Sequence, residues 1–123
     1  MLHATNAQVE ARAIDSVEGR RNTGTFLVKP LMRGNSMTLL EMRLPAGAGS
    51  PIHVHAHESL IYVVSGRLRN TIDDETFVLG PGDVCRHPAG AAHRVEALED
   101  TVFVEAKSPP PDLQRIFGQT GEK

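Results

Sequence analysis

Five of the chain's six histidines, His53, His55, His57, His87 and His93, lie between residues 53 and 93. Imidazole titrates near neutrality and binds transition metals through either ring nitrogen, so such a cluster can hold an ion or move protons. His53 and His55 stand two residues apart, and on an extended strand side chains at that spacing share a face. Two imidazoles can therefore meet at one point. A straight continuation cannot bring a third, because an extended run from His53 to Ser59 covers about 20 Å at about 3.3 Å per residue. A ligand bond is only about 2.0 to 2.1 Å long. Any third ligand has to come from a folded-back segment, and Ala56-His57-Glu58 has to be a bend rather than continued strand.

The neighbouring residues divide between chemistry and structure. His57 is the candidate acid–base catalyst, as a proton shuttle or a fourth ligand, and stands equally well as a cap on the bend. His87 precedes Pro88, which restricts it to extended geometry, and a surface position is expected for it. Cys85 is expected as a small buried hydrophobe rather than a reactive thiol. Arg67, Arg69, Arg86 and Arg94 alternate on strand-like runs whose common reading is a solvated face. Among them Arg86 is the candidate for gripping a substrate carboxylate bidentately.

The elements that must position these residues are short strands. Residues 1–24 are polar and weakly patterned, with one short strand near Ala11 to Asp15 and a turn at Gly19, and read as an arm that orders against a partner. Thr25 to Val28 is β-prone and is expected to stop at Pro30, which cannot donate to a central ladder. From Thr38 to Leu44 apolar Leu40, Met42 and Leu44 alternate with charged Glu41 and Arg43, the period of a half-buried strand. Further strands are expected over Leu60 to Val64, Arg67 to Ile72, Thr76 to Leu79, Val84 to His87, His93 to Ala97 and Thr101 to Ala106, with Gly, Pro and Asp turns between them. Leu60, Ile61, Val63, Leu68 and Ile72 read as core. Residues 108–123 form a Pro-rich tail in which Asp112 caps a short helix, Leu113 to Phe117, that Gly118 ends. Turn signals about every ten residues indicate an antiparallel sandwich or barrel, here over residues 25–107.

Size and charge narrow the function. A chain of 123 residues is one domain. Thirteen Lys and Arg against fifteen Asp and Glu leave no basic footprint for nucleic acid or an anionic membrane. The longest apolar run is far too short to span a bilayer, and the first ten residues lack the layout of a secretory signal. A cytoplasmic protein is expected, and a single cysteine agrees with a reducing compartment.

Two stretches resemble the signature motifs of the cupins, small β-barrels. The first motif, G-x5-H-x-H-x3,4-E-x6-G, is met by Gly47, His53, His55 and Gly66, with Ser59 where the glutamate stands. The second, G-x5-P-x-G-x2-H-x3-N, is met by Gly82, Pro88, Gly90 and His93, with Ala97 in place of the asparagine. The resemblance covers about residues 37–107. It implies an all-β double-stranded β-helix, a jelly-roll barrel with a short C-terminal helical turn, that assembles as a homodimer. It also implies His53, His55 and His93 as ligands of one divalent transition metal, Zn, Fe, Ni, Mn or Cu. Glu58 is a poor stand-in for the missing carboxylate, since one step along a strand reverses the side chain. Ser59 is placed to hold a water or a substrate oxygen.

Three neutral imidazoles leave the charge of the ion uncompensated, which favours an anionic, chelating small-molecule substrate such as a sugar acid or a keto or enol acid. Within the cupins the chain looks most like the small proteins of pectin and alginate breakdown that act on unsaturated uronates, which carry an amide at the position of Ser59. Isomerisation or ring-opening follows as the expected reaction. The alternatives are a three-histidine iron dioxygenase and a non-catalytic binding or sensing module.

Overall fold

The computed structural model describes residues 2–117, as nine strands, a short helix and one turn of 3-10 helix at Asn6–Gln8. The strands are β1 (Arg12–Val17), β2 (Arg20–Arg33), β3 (Thr38–Leu44), β4 (Glu58–Ser65), β5 (Leu68–Ile72), β6 (Glu75–Leu79), β7 (Val84–His87), β8 (His93–Ala97) and β9 (Thr101–Ser108), followed by α1 (Leu113–Phe117). They form a six-stranded sheet in the order β1-β2-β3-β9-β4-β7 and a three-stranded sheet in the order β6-β5-β8. Every pairing is antiparallel. The fold is the expected double-stranded β-helix.

The two sheets close on one core. Alternation along each strand turns Phe26 and Val28 of β2, Leu40 and Leu44 of β3, Ile61 and Val63 of β4, Leu68 of β5 and Phe103 of β9 inward, all nearly inaccessible. Leu60 belongs to the other face. It was expected in the core, but it is 54% exposed, because its neighbours Ser59 and Ile61 take the inward positions on β4.

The segment read as a polar arm is built into the barrel from Arg12 onward. β1 and β2 form a hairpin within the chain, with Ile14 paired to Phe26 and only 4% exposed. Pro30 does not end β2, which runs to Arg33. The pairing with β1 reaches no further than Val28, so the ladder on that side is already over at Pro30. On the other side the register with β3 shifts between Pro30 and Met32. The bulge absorbs the residue that cannot donate.

Between β3 and β4 the chain lies along β8 without forming a regular strand. Amide–carbonyl bonds join Gly47 and Ala48 to Ala97, Ser50 to Val95, and His53 to His93 in both directions at 2.9 and 3.0 Å. At the other end α1 packs on β1, with the Arg12 guanidinium 4.3 Å above the Phe117 ring. The helix expected over Leu113 to Phe117 is present, while Gly118 and the rest of the tail lie outside the described residues. Among the described residues no helix is long and apolar enough to cross a membrane.

Candidate metal centre

His53, His55 and His93 each offer a ring nitrogen, and the three atoms lie within 4.8 Å of one another. The third imidazole comes from a folded-back segment, as the length of an extended run requires. The reciprocal bonds between His53 and His93 set β8 beside the approach to β4. The chain bends at Ala56 and His57, and β4 begins at Glu58. The Gly90 amide donates to the His55 carbonyl at 3.0 Å and ties this loop to the turn before β8.

Each of the three rings is turned by a bond to its Nδ1. His53 donates to the Pro51 carbonyl at 2.7 Å, and His93 to the Ala91 carbonyl at 3.1 Å. His55 lies 2.7 Å from Glu18 Oε2. A carbonyl or carboxylate oxygen only accepts, so Nδ1 carries the proton in all three, and Nε2 keeps a lone pair for an ion. Burial lowers the pKa of His53 to about 4 and lowers His55 and His93 as well. The rings are neutral at neutral pH, which is the form that ligates. The donor set fits a divalent transition metal.

Glu18 reaches the site from the turn between β1 and β2. Both turn residues have positive φ, Glu18 at 51° and Gly19 at 78°, as a tight two-residue hairpin of the right twist demands. Such turns normally take Asn or Gly at the first of these positions. A glutamate held there carries a conformational cost, and its carboxylate is what meets His55.

Ser59 faces inward, as the family position requires, and is 1% exposed. It pairs across the sheet with Lys107 on β9 and His87 on β7. Lys107 Nζ donates to Ser59 Oγ at 3.3 Å, to Glu105 Oε2 at 3.0 Å and to His57 Nε2 at 3.0 Å. Burial works against the Glu105 carboxylate, but Lys107 and His87, with hydrogen bonds from Lys107 and Ser59, hold its pKa below the usual carboxylate range. A buried ion pair is expensive to desolvate, and this one stands beside the histidines instead of being spent on packing. Where the motif has a carboxylate, the chain has a serine, and a carboxylate enters from the adjacent strand.

His57 lies at the bend, its ring stacked 4.2 Å from that of His55. Burial, followed by the Lys107 charge, lowers its pKa to about 4. With Nε2 accepting from Lys107, its proton sits on Nδ1.

His87 was expected at the surface and is not there. It is 2% exposed, with its ring 4.3 Å from that of His93, and Nε2 donates to Asn70 Oδ1 at 2.9 Å. Its Nδ1 is buried with no hydrogen-bond partner. Asn70, fully buried on β5, thus orients a ring that borders the triad. Cys85, partly buried, has its thiol pushed up to about 12 by burial, which makes it inert.

Arg86 stands away from the triad. It lies on the outer face of β7, where it bonds Glu58 Oε2 at 3.1 Å. The one-step reversal that sets Glu58 outward does the same to Arg86, since the two strands are in register. Arg69 and Arg94 likewise pair with Glu96 at the surface.

Glu18, Glu105, Lys107, Asn70 and the buried state of His87 were missed in the sequence. For two of them a signal was present. Thr101, Phe103, Glu105 and Lys107 alternate along β9, so a face that begins in the core ends in a charged pair. No local pattern links Glu18 to His55, which is 37 residues away.

Residues 40–105 match the family model described as a cupin domain. The chain belongs to the cupin family. This cupin is 30% identical over 106 residues to an uncharacterized protein of Streptomyces coelicolor, a match covering 85% of the cupin and 99% of that protein. Its fold is similar to the solved structure of KdgF from Halomonas sp., with a TM-score of 0.77 at 24% identity, over 91% of the cupin and 98% of that chain. It is also similar to ectoine synthase from P. lautus, with a TM-score of 0.79 at 18% identity, over 98% and 87% of the two chains. At these identities the solved structures establish the shared barrel.

Proposed function

We propose that this cupin is a metal-dependent enzyme acting on a small oxygenated anionic substrate, a sugar acid or a keto or enol acid, by isomerisation or ring-opening. The observation that carries the reading is the pairing of a preset triad, His53, His55 and His93, with a buried relay of Glu105, Lys107 and His57. The triad would hold one divalent ion, Zn, Fe, Ni, Mn or Cu, which when bound supplies Lewis acidity to a carbonyl.

The chain's own residues supply the rest. His57 presents a proton on Nδ1 and can be resupplied at Nε2 from Lys107. Glu105 holds the Lys107 ammonium beside His57 through an ion pair at 3.0 Å. Ser59 keeps Lys107 in place through its hydroxyl, so its contribution to the substrate is indirect. His57 is bound to Lys107 and is not grouped with the triad, so the described residues group three ligands and not four, which supports an ion that would be open to substrate over a closed structural metal.

Elemental analysis of protein purified without a metal-affinity tag tests the reading. About one equivalent of a transition metal is expected in the wild type, near none in His93→Ala, and an unchanged content in Arg86→Ala, which alters only the outer face. Equal metal in wild type and His93→Ala removes the triad as the site. A second reading, a ferrous dioxygenase, draws support from the apolar part of the cavity wall, and iron-dependent oxygen uptake separates it from the first.

Assembly as a homodimer belongs to the same proposal, in a reducing cytoplasmic setting. Its support is the outer face of the six-stranded sheet, where Leu60, Tyr62, Val64 and Val84 are each about half exposed or more, at 54%, 51%, 49% and 65%.

A further inference from the structure

The cavity extends well past the histidines. Its volume is about 810 Å³, within the range of sites that enclose a whole small molecule. The histidines and the Lys107–Glu105 pair supply part of its wall, and much of the remainder is carbon from Ile14, Phe26, Val28, Leu40, Val95 and Phe103. His87 Nδ1, beside the ring of His93 at the triad end, has no hydrogen-bond partner, while most of the other polar groups nearby already have one. Lys107 directs its protons to His57, Ser59 and Glu105. The Ser50 hydroxyl accepts from the Val95 amide at 3.0 Å, and Asp112 Oδ1 from the Gln114 amide at 3.0 Å.

A polyhydroxylated body would set its hydroxyls against carbon, and a buried hydroxyl without a partner carries a desolvation penalty. An aryl or branched-alkyl body meets the same wall without that penalty and gains from leaving water. Resting on the metal reading above, we infer that the site takes an amphiphilic chelator. Its head is a 2-oxo acid or the corresponding enolate, two adjacent oxygens for the triad end, and its body is apolar and lies against Phe26, Leu40 and Phe103. Of the two substrate classes in the proposed function, the cavity wall selects the keto or enol acid over the sugar acid.

Calorimetric titration of the metal-loaded protein with pyruvate, phenylpyruvate and 2-oxogluconate tests this, because the three share a head and differ in body. Phenylpyruvate is expected to bind at least about tenfold more tightly than either of the others, since a single methylene in a hydrophobic pocket is worth about 10- to 200-fold. Val28→Phe, which fills the apolar end, is expected to lower phenylpyruvate affinity by about tenfold or more while metal content and pyruvate binding stay in place. Should that variant fail to fold, the order of the three affinities in the wild type decides alone. Equal or tighter binding of 2-oxogluconate overturns the inference, as does a metal-loaded protein that binds none of the three. Protein that takes up no metal overturns the proposed function itself, and elemental analysis reveals that before any ligand is added.

Discussion

His55 differs from its two companions in what holds it. Backbone carbonyls orient His53 and His93, whereas a carboxylate orients His55. An anion on the far nitrogen makes an imidazole a stronger donor and returns negative charge to a ligand set that has lost its own carboxylate. Glu18 therefore does at one remove part of what the motif's glutamate does directly. Glu18→Gln keeps an acceptor and loses the charge, and Glu18→Ala loses both. Metal affinity by chelator competition is expected to fall by about 10- to 100-fold in Glu18→Ala, and by less in Glu18→Gln. Affinities within twofold of wild type in both would reduce Glu18 to a turn residue.

Among the described glycines, the one at the join between β4 and β5 leaves the least room for a side chain. Gly66 has φ of 91°, and a Cβ there would overlap the Asp100 carbonyl oxygen and the Thr101 hydroxyl and lie 2.7 Å from Thr101 Cα. That hydroxyl accepts from the Arg67 amide and so ties the start of β9 to the end of β4. Gly82 has a similar φ of 86° with nothing within 4 Å of the added atom. Gly82→Ala is expected to cost about 1 to 2 kcal/mol, the conformational part alone. Gly66→Ala adds overpacking and is expected to cost about 2 to 5 kcal/mol. Urea denaturation of the two variants separates these terms, and equal losses would contradict the close approach at Gly66. The motif glycine was legible in the sequence by its spacing, but the reason for it lies in a strand 35 residues further on.

At the scale of the molecule, the hairpin of β1 and β2 changes how assembly should be tested. Removing residues 1–20 would take away Ile14 from the core and Glu18 from the site, so a loss of mass on truncation would not isolate a role in dimerisation. Surface substitutions on the exposed sheet face are cleaner. Leu60→Lys with Tyr62→Lys changes two side chains that are more than half exposed and is expected to leave the fold intact while converting a dimer to a monomer in light scattering. A wild type that is already monomeric would count against this face as an interface.

Alternation and turn residues were enough to place β3, β7 and β8 at their observed limits, because a half-buried strand has to repeat every two residues wherever it sits. The same local rule, with the length of a ligand bond, required the triad to be completed from a second segment and the chain to bend after His55. The paired motifs named that segment as the one carrying His93. What local rules cannot supply is the identity of a neighbour across the barrel. His87 looked like a surface residue because it precedes Pro88 and neither motif assigns it a role, and it is buried because β7 lies beside β4 with Asn70 of the other sheet bonded to it. Glu105 and Lys107 became part of the site through the register of β9 on β4, and Glu18 through the β1–β2 turn, which brings its carboxylate to His55. Periodicity is a property of one strand and can be read along the chain, whereas register and closure depend on every strand at once and exist only in the folded barrel.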